Sequence, residues 1–329
     1  MTVLGIETSC DETAASICHD GRILSNIISS QVVHSSFGGV VPEIASREHE
    51  LMLNSIVNDA ISEANLSLGD LDAIAVTQGP GLAGALLTGV SFAKGLSIGL
   101  NISLIPINHL EAHIFANFLA DPNLSYPFIC LLISGGHTQL WLVKNIGIYD
   151  LLGETRDDAA GEAFDKGSRI LGLGYPGGPQ IEKISKNGNP TKIIFPRSLM
   201  GSDNLEFSFS GLKTSLLYFM DNFQESKEYR LADVAASYQQ AIVDCLSEKL
   251  ARAIMKTGIK NCVIAGGVAA NFCLREELNN RIRNAQILYP DLEYCTDNAA
   301  MVSFLGEIKL KSGYKSNLIF NVSPNLKLN

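Results

Sequence analysis

The chain has 329 residues, which exceeds one comfortable hydrophobic core and predicts two domains. It carries 25 basic and 34 acidic residues and a formal net charge of −9, so no global basic field attracts nucleic acid. A nucleic-acid partner would therefore need a local basic patch or a helper protein. Seven cysteines, an odd number with no Cys-x-x-Cys pair, favour reduced thiols in a cytosol.

The amino-terminal residues enter a strand pattern directly, from Val3 to Ile6, with no charged leader, apolar signal region or transit peptide. The one long weakly polar run, Leu82 to Leu100, contains Lys94 and is rich in Gly and Ser. A membrane span has about 20 mostly apolar residues. The sequence therefore predicts a cytoplasmic protein with no membrane segment.

The first half predicts an opening group of three strands followed by alternating helices and strands. The strands are Val3 to Glu7, Ala14 to His19 and Arg22 to Ser29, and the later elements are a helix from about Pro42 to Ala64, a strand Ala73 to Thr77, a helix Leu82 to Leu100, a strand Ser103 to Pro106 and a helix that contains two histidines.

The second half repeats this plan, which suggests a duplicated α/β domain. Its predicted elements are the strands Phe128 to Ile133, Thr138 to Val143 and Tyr149 to Leu152, a helix Asp157 to Leu171, a helix Ala232 to Lys256, a strand Cys262 to Ala265 and a helix from Asn271. The predicted domains are 1–125, completed by a C-terminal helix and tail at about 297–329, and 126–296, with a Gly/Pro-rich insertion at about 172–211.

His109 and His113 are the residues on which the functional prediction rests. If their segment is helical, both imidazoles lie on one face, one turn apart, where they can bind one metal ion. From spacing alone, two helix histidines that are hydrogen-bonded to backbone are an equally good interpretation. A His-Glu-x-x-His zinc protease is disfavoured, because Leu110 follows His109 and Glu111 lies roughly 200° around the helix.

Asp297 is the best candidate for a third ligand, since it lies just before a predicted helix. Two histidines and one carboxylate with open coordination positions favour Fe(II), with Zn(II) as the alternative. A helix N-cap is the competing interpretation of Asp297.

Two turns that follow buried strands have different chemistry. Ser134, Gly135 and Gly136 leave backbone N–H groups uncovered and permit unusual φ angles, as in a nest for phosphate oxygens. The corresponding turn in the first half contains Asp11 and Glu12, which suit a metal, a hydroxyl group or a proton to be accepted. Hairpins use the same residues without any ligand.

Two further positions in the second half are candidate nucleotide ligands. After the glycine turn Gly266-Gly267, which would let a purine lie against the backbone, Asn271 is expected to cap a helix, to bond a base, or both. Asp165 would accept from ribose hydroxyls or be an ordinary charge on the helix surface.

Small residues in the Leu82 to Leu100 helix suggest close approach by another helix. They are Gly84, Ala85, Thr88, Gly89 and Ser91. Glycine within a helix costs up to about 1 kcal/mol relative to alanine, so a compensating contact is expected. The contact is either a partner subunit or this protein's own sheet.

Taken together, these residues resemble the tRNA adenosine threonylcarbamoyltransferase (TsaD) family, bacterial branch, once described as a sialoglycoprotease. The matching segments span Leu4 to Asn298 and are Gly5 to Thr13, Gly38 to Glu43, Gly79 to Gly81, His109 to His113, Ser134 to Gln139, Asp157 to Lys166, Tyr175 to Pro179, Phe207 to Lys213, Gly266 to Asn271 and Cys295 to Asn298. Ala112 stands where the family commonly has glycine, and it is still small.

The resemblance implies a duplicated actin-like, sugar-kinase-like and Hsp70-like (ASKHA) fold with a nucleotide in an interdomain cleft. It implies transfer of the threonylcarbamoyl group from threonylcarbamoyl-AMP to the 6-amino group of the adenosine 3′ of the anticodon, in tRNAs reading codons that begin with A. The competing hypotheses are an ATP-hydrolysing or sugar-phosphorylating relative, which has no use for the histidine pair, and the metalloprotease disfavoured above.

The resemblance also implies a set of site residues and partners. His109, His113 and Asp297 resemble the metal ligands. The family binds an adenylate (threonylcarbamoyl-AMP, ATP, ADP or AMP), and the residues that resemble its adenylate-binding set are Leu132, Ile133, Ser134, Gly135, Gly136, Asp165, Gly178, Glu182 and Asn271. The implied partners are the tRNA anticodon loop, a paralogous TsaB-like subunit and a TsaE-like ATPase, with a homodimer as an alternative. An exocyclic amine is a poor nucleophile, so we expect Asp11 or Glu12 to accept its proton.

Overall fold

The computed structural model describes residues 1–201, 203–224, 229–314 and 318–328. The chain divides into two compact units, Met1–Pro122 with Asp297–Leu328, and Asn123–Thr296. The first unit therefore receives its last elements from the C-terminal end of the chain. The predicted change between domains lies a few residues later, at 125.

Unit 1 is a five-stranded sheet with helices on both faces. In chain order it contains β1 (Thr2–Glu7), β2 (Glu12–His19), β3 (Arg22–Ser30), α1 (Pro42–Glu63), β4 (Ala73–Gly79), α2 (Ala83–Leu100), β5 (Ser103–Asn108), α3 (His109–Phe115), α4 (Asn117–Ala120) and α11 (Ala299–Lys311). The strand order is β3-β2-β1-β4-β5, with β1 antiparallel to β2 and parallel to β4.

The centre of this sheet is dry because all six residues of β1 are buried, as expected for a strand covered on both faces. α11 packs on β1 so closely that a Cβ at Gly5 would lie 2.5 Å from the backbone nitrogen of Ser303. Glycine at position 5 therefore lets α11, which follows Asp297, lie directly on the strand that ends at Glu7.

Unit 2 contains a second five-stranded sheet. Its elements are β6 (Phe128–Ile133), β7 (Thr138–Asn145), β8 (Ile148–Glu154), α5 (Ala160–Ile170), α6 (Gly177–Ser185), α7 (Ser210–Asp221), α8 (Leu231–Thr257), β9 (Asn261–Ala265), α9 (Phe272–Arg281), β10 (Gln286–Leu288) and α10 (Leu292–Cys295). The strand order β10-β9-β6-β7-β8 is the order of unit 1 read from the other edge.

Several boundaries differ from the prediction. α5 begins at Ala160 rather than at Asp157, because the Asp157 carboxylate accepts hydrogen bonds from both the backbone and the hydroxyl of Ser210 at the start of α7. The predicted insertion contains α6, which the sequence analysis did not identify, and α7 begins near its end.

α2 has the length and apolar composition of a membrane span, a property that core helices of soluble proteins share. One face is buried against β4 and α1. A Cβ at Gly84 would lie 2.4 Å from Ser46 Oγ, and one at Gly89 would lie 2.3 Å from Thr8 Oγ1. For these two glycines, packing within the protein's own unit is the correct interpretation.

Candidate metal centre and nucleotide-binding residues

α3 places the two histidines as the sequence predicted. Asn108 caps the helix, because its Oδ1 accepts from the backbone N–H groups of Leu110 and Glu111. All seven residues of the helix are buried. The rings of His109 and His113 have centroids 4.6 Å apart and planes at 87°.

Asp297 lies against both imidazoles, within unit 1. Its Oδ1 is 3.1 Å from His113 Nε2 and 3.5 Å from His109 Nε2. The cap of α11 is Asn298, whose side chain accepts from Met301 N, so the N-cap interpretation of Asp297 is wrong. The two rings are hydrogen-bonded to side chains, so the interpretation as backbone-bonded histidines is also wrong.

The donor set fits one divalent cation. One ligand atom from each of His109, His113 and Asp297 lies within 4.8 Å of the other two. Ligands at about 2.1 Å from a common ion, separated by angles of about 90–110°, lie about 3.0–3.4 Å from each other. The two Nε2 to Oδ1 distances are close to this range, and imidazole with carboxylate is a donor set for Fe(II) or Zn(II).

The electrostatics of the cluster favour positive charge at its centre. Burial alone would lower the pKa of His109, but the carboxylates of Asp297 and Glu7 raise it well above its usual value. Burial would raise the pKa of Asp297, and the two imidazoles bring it below its usual range instead. His113 has a lowered pKa because of burial, so this ring tends to be neutral, the form that binds metals.

Glu7 is part of this cluster, although the sequence analysis gave it no role. Its Oε2 is 3.1 Å from His109 Nδ1 and 2.6 Å from Thr77 Oγ1. The available signal was a carboxylate at the end of a strand that is otherwise apolar and buried.

The acidic turn between β1 and β2 is held in place by two residues that sequence reasoning missed. His49 Nε2 donates to the carbonyl oxygen of Cys10 at 3.0 Å, and Gln31 N donates to the carbonyl oxygen of Asp11 at 3.0 Å. Burial, together with the charges of Asp297 and Asp11, raises the pKa of Glu12 well above its usual value. A cation close to these carboxylates would therefore favour ionised Glu12.

Glu111 has a different partner, as its position around the helix predicted. Its carboxylate forms an ion pair of 2.5 Å with Lys309 of α11. A protease base on α3 is therefore excluded at this residue, because its side chain is engaged away from the histidine pair.

In unit 2, the glycine turn joins β6 to β7. Ser134 N donates to the carbonyl oxygen of His137, and His137 N donates to Ser134 Oγ. Neither Gly135 nor Gly136 has a positive φ, so the predicted unusual φ angles are wrong here. A Cβ at either glycine would meet no atom within 4 Å, so this side of the backbone is open.

Three other residues that were predicted to bind the nucleotide are buried or hydrogen-bonded within unit 2. Leu132 and Ile133 are fully buried in β6, so only their backbone can contact a ligand. Asp165 Oδ1 accepts from Gly177 N at the start of α6, next to Gly178, so it is not a simple surface charge.

Asn271 and Glu182 lie together near a pocket. Asn271 caps α9 through Leu274 N and donates from Nδ2 to Gln239 Oε1, while Glu182 Oε1 accepts from Phe272 N. The pocket has a volume of about 430 Å³, and its lining includes Glu182, Ser185, Gln239, Gln240, Phe272 and Cys273. Buried Ser185 Oγ has no hydrogen-bond partner among the described residues.

Comparison with known proteins connects this geometry to a family. Residues 22–304 match the TsaD family, described as tRNA N6-adenosine threonylcarbamoyltransferase. Enzymes of that name are 51% identical in Thermosipho africanus, covering all of both chains, and 50% identical in Kosmotoga olearia, covering all of this chain and 99% of that one. The chain belongs to the TsaD family.

Solved structures of other proteins share the fold of this chain. Component A of (R)-2-hydroxyglutaryl-CoA dehydratase from Acidaminococcus fermentans aligns with a TM-score of 0.58 and 15% identity, covering 93% of this chain and 97% of that one. HypF from T. kodakarensis aligns with a TM-score of 0.65 and 16% identity, covering 94% and 48%. The ASKHA fold predicted from the sequence is thus confirmed.

The predicted reaction follows from membership of the TsaD family. The chain is an acyltransferase that moves the threonylcarbamoyl group from threonylcarbamoyl-AMP to the 6-amino group of the adenosine 3′ of the anticodon, in tRNAs reading codons that begin with A. The competing kinase-like and protease hypotheses are therefore wrong.

Proposed function

We propose that this chain performs the transfer with one divalent metal ion held by His109, His113 and Asp297, with Fe(II) favoured and Zn(II) as the alternative. The observation that carries the proposal is the approach of both Nε2 atoms to one carboxylate oxygen, at 3.1 and 3.5 Å. When bound, such an ion supplies positive charge that stabilises negative charge developing on acyl oxygens.

The residues of unit 1 also supply a candidate for proton transfer. The acceptor amine of adenosine must lose a proton when the new C–N bond forms, and the Asp11–Glu12 turn offers two carboxylates for it. A bound cation would favour the ionised, proton-accepting form of Glu12, because it would oppose the effects of burial and of the neighbouring carboxylates that raise the pKa of Glu12. Normal turnover after changing both Asp11 and Glu12 to Ala would refute this role.

The adenylate of the donor is proposed to bind unit 2. The open backbone at Gly135 and Gly136 suits phosphate oxygens, and the pocket beside Glu182 and Asn271 suits a base. Leu132, Ile133, Asp165 and Gly178 complete the proposed set through backbone or ribose contacts.

The proposed partners follow from charge and from one exposed helix face. An acidic chain has little field for the anticodon loop of tRNA, so helper subunits are expected, here a TsaB-like subunit and a TsaE-like ATPase. α2 exposes Leu87 at 56% and Ile98 at 65%, with Ser91 and Gly95 between them. We assign this α2 face to the TsaB-like subunit, with a homodimer as the alternative, and place the protein in the cytoplasm.

The metal assignment is tested by metal analysis of anaerobically purified protein, paired with mass spectrometry of tRNA nucleosides after the reaction. Wild type is expected to retain about one ion per chain and to form threonylcarbamoyladenosine, whereas His109→Ala should lose both. His19→Ala is the matched control, because His19 is half-exposed and outside the cluster. Full metal content and turnover in His109→Ala would reject the assignment.

The partner assignment is tested by light scattering of mixtures with the TsaB-like subunit. Gly95→Arg places a charge on the α2 face, where a Cβ meets no atom within 4 Å, so folding should be preserved. We expect at least tenfold weaker association, while the exposed Asn222→Arg in unit 2 associates like wild type. Unchanged association of Gly95→Arg would place the interface elsewhere.

A further inference from the structure

Glu7 is a carboxylate with no exposed surface at the end of β1. Its Oε1 accepts from the backbone of Ser9 at 2.6 Å, and its Oε2 accepts from Thr77 Oγ1 at 2.6 Å and from His109 Nδ1 at 3.1 Å. A buried carboxylate is costly unless hydrogen bonds satisfy it, and here both oxygens are engaged. The metal proposal above does not use this residue.

From this arrangement we propose that Glu7 is a positioning residue that selects the metal-binding tautomer of His109. When Nδ1–H donates to the Glu7 carboxylate, the lone pair of a neutral imidazole lies on Nε2. Nε2 is the atom that faces Asp297 Oδ1, at 3.5 Å. Glu7 thus directs the donor atom of His109 toward the proposed ion, and the inference rests on that proposed metal site.

The neighbouring contacts support this direction of the hydrogen bond. Ser9 Oγ lies 3.3 Å from the same Nδ1, farther than the Glu7 oxygen, and it is the weaker alternative partner. Thr77 has a hydroxyl that donates to Glu7 Oε2 and so fixes the carboxylate that receives the ring N–H. A carboxylate partner also makes the imidazole a stronger ligand.

The second histidine provides an internal contrast. His113 Nδ1 is buried and has no hydrogen-bond partner among the described residues, although its Nε2 also faces Asp297. Within the described part of the chain, His109 therefore has a carboxylate at its Nδ1 and His113 does not. Loss of Glu7 should weaken metal binding through one ligand and leave the other two in place.

The test is titration of metal-free protein with Zn²⁺ in competition with a chromophoric chelator, together with the visible spectrum of the Co²⁺ form. Glu7→Gln is expected to bind Zn²⁺ about 10–100-fold more weakly and to change the Co²⁺ spectrum. Glu111→Gln is the matched control, since Glu111 is a buried carboxylate on α3 that pairs with Lys309. It should bind Zn²⁺ like wild type.

A second variant keeps the test decisive if Glu7→Gln does not fold. Thr77→Val retains the Glu7 charge but removes the hydroxyl that fixes it, so a smaller loss, about threefold to tenfold, is expected. Wild-type Zn²⁺ affinity and an unchanged Co²⁺ spectrum in the folded variants would overturn the role of Glu7. Failure of the metal site itself is recognised separately, because wild type and His113→Ala would then bind Zn²⁺ equally.

Discussion

The two sheets have the same strand order, but the residues at the carboxyl ends of their central strands differ in charge. In unit 1 the central strand β1 ends at a buried carboxylate, Glu7, and β5 leads into a helix with two imidazoles. In unit 2 the equivalent central strand β6 ends at Ile133 and is followed by Ser134 and two glycines with open space beside the backbone. The carboxyl ends of strands are where α/β folds bind ligands.

We interpret this contrast as a shared scaffold that supplies positions and side chains that determine what each unit would bind. Unit 1 concentrates negative carboxylates and imidazoles, which suit a cation. The turn of unit 2 has two glycines with open space beside the backbone and contains no carboxylate, which suits an anion. This proposed separation can be tested by changing a residue of one unit and measuring both metal affinity and adenylate binding.

The largest effect is expected from Asp297→Asn, which removes the charged ligand of the proposed metal site in unit 1. Metal affinity should fall by more than about 100-fold, because an amide oxygen is a much weaker ligand than a carboxylate. Adenylate binding, measured by calorimetry with AMP, should remain at the wild-type level. A parallel loss of both would show that the two functions are not separable by unit.

Gly266→Ala should lower the stability of unit 2 itself. Gly266 has a φ of +87°, and a Cβ there would lie 2.5 Å from the carbonyl oxygen of Ile133. Strain and overlap together are expected to cost about 2–4 kcal/mol of unfolding free energy, measured by urea denaturation. Gly178→Ala, where a Cβ meets no atom within 4 Å, is the control for unit 2 and should change stability little.

Gly135→Asp would make the turn of unit 2 resemble that of unit 1. The fold should tolerate the side chain, because a Cβ at this position meets no atom within 4 Å. Repulsion of the phosphate should weaken AMP binding about tenfold, or about 1.4 kcal/mol, while Zn²⁺ binding is unchanged. Gly135→Ala separates charge from bulk; an equal loss in both variants would contradict an electrostatic cause.

The smallest effect concerns a carboxylate of unit 2 that is structural. Hydrogen bonds from Arg230 and the Asn189 backbone lower the pKa of Asp233 to about 2. Because the folded-state pKa is depressed, Asp233 stabilises the fold above about pH 4, and this contribution is lost as the pH falls toward about 2.

In Asp233→Asn, the unfolding free energy should therefore fall less steeply between pH 5 and 2 than in wild type, as measured by urea denaturation. The expected loss at neutral pH is about 1 kcal/mol, since Arg230 is half-exposed and solvent screens the pair. If the unfolding free energy of the variant falls as steeply with decreasing pH as that of wild type, the pH dependence belongs to other carboxylates.

Sequence reasoning succeeded where the signal is local. The spacing of His109 and His113, the apolar strands and the glycine turn before Asn271 all depend on neighbours within a few residues. Asp297 was chosen as the third ligand candidate from its carboxylate and its place before a predicted helix, and the family resemblance then implied the same residue.

The features that were not predicted from the sequence depend mostly on contacts between residues that are far apart in the chain. Glu7 meets His109 across 102 residues of sequence, and no periodicity encodes that contact. Asp157 looked like the first residue of a helix, yet tertiary hydrogen bonds to Ser208 and Ser210 hold it outside α5. α6 was missed because its first turn, Gly177-Gly178-Pro179, has poor helix propensity.

The C-terminal tail has a consequence for how the protein is made. Ser323 N donates to the carbonyl oxygen of Gln78, Gly81 N donates to that of Pro324, and Asn108 Nδ2 donates to that of Lys327. Synthesis proceeds from the amino end, so Asp297 leaves the ribosome 184 residues after His113, and the tail follows it. The two histidines must therefore wait for those residues to be translated before the carboxylate that they share arrives.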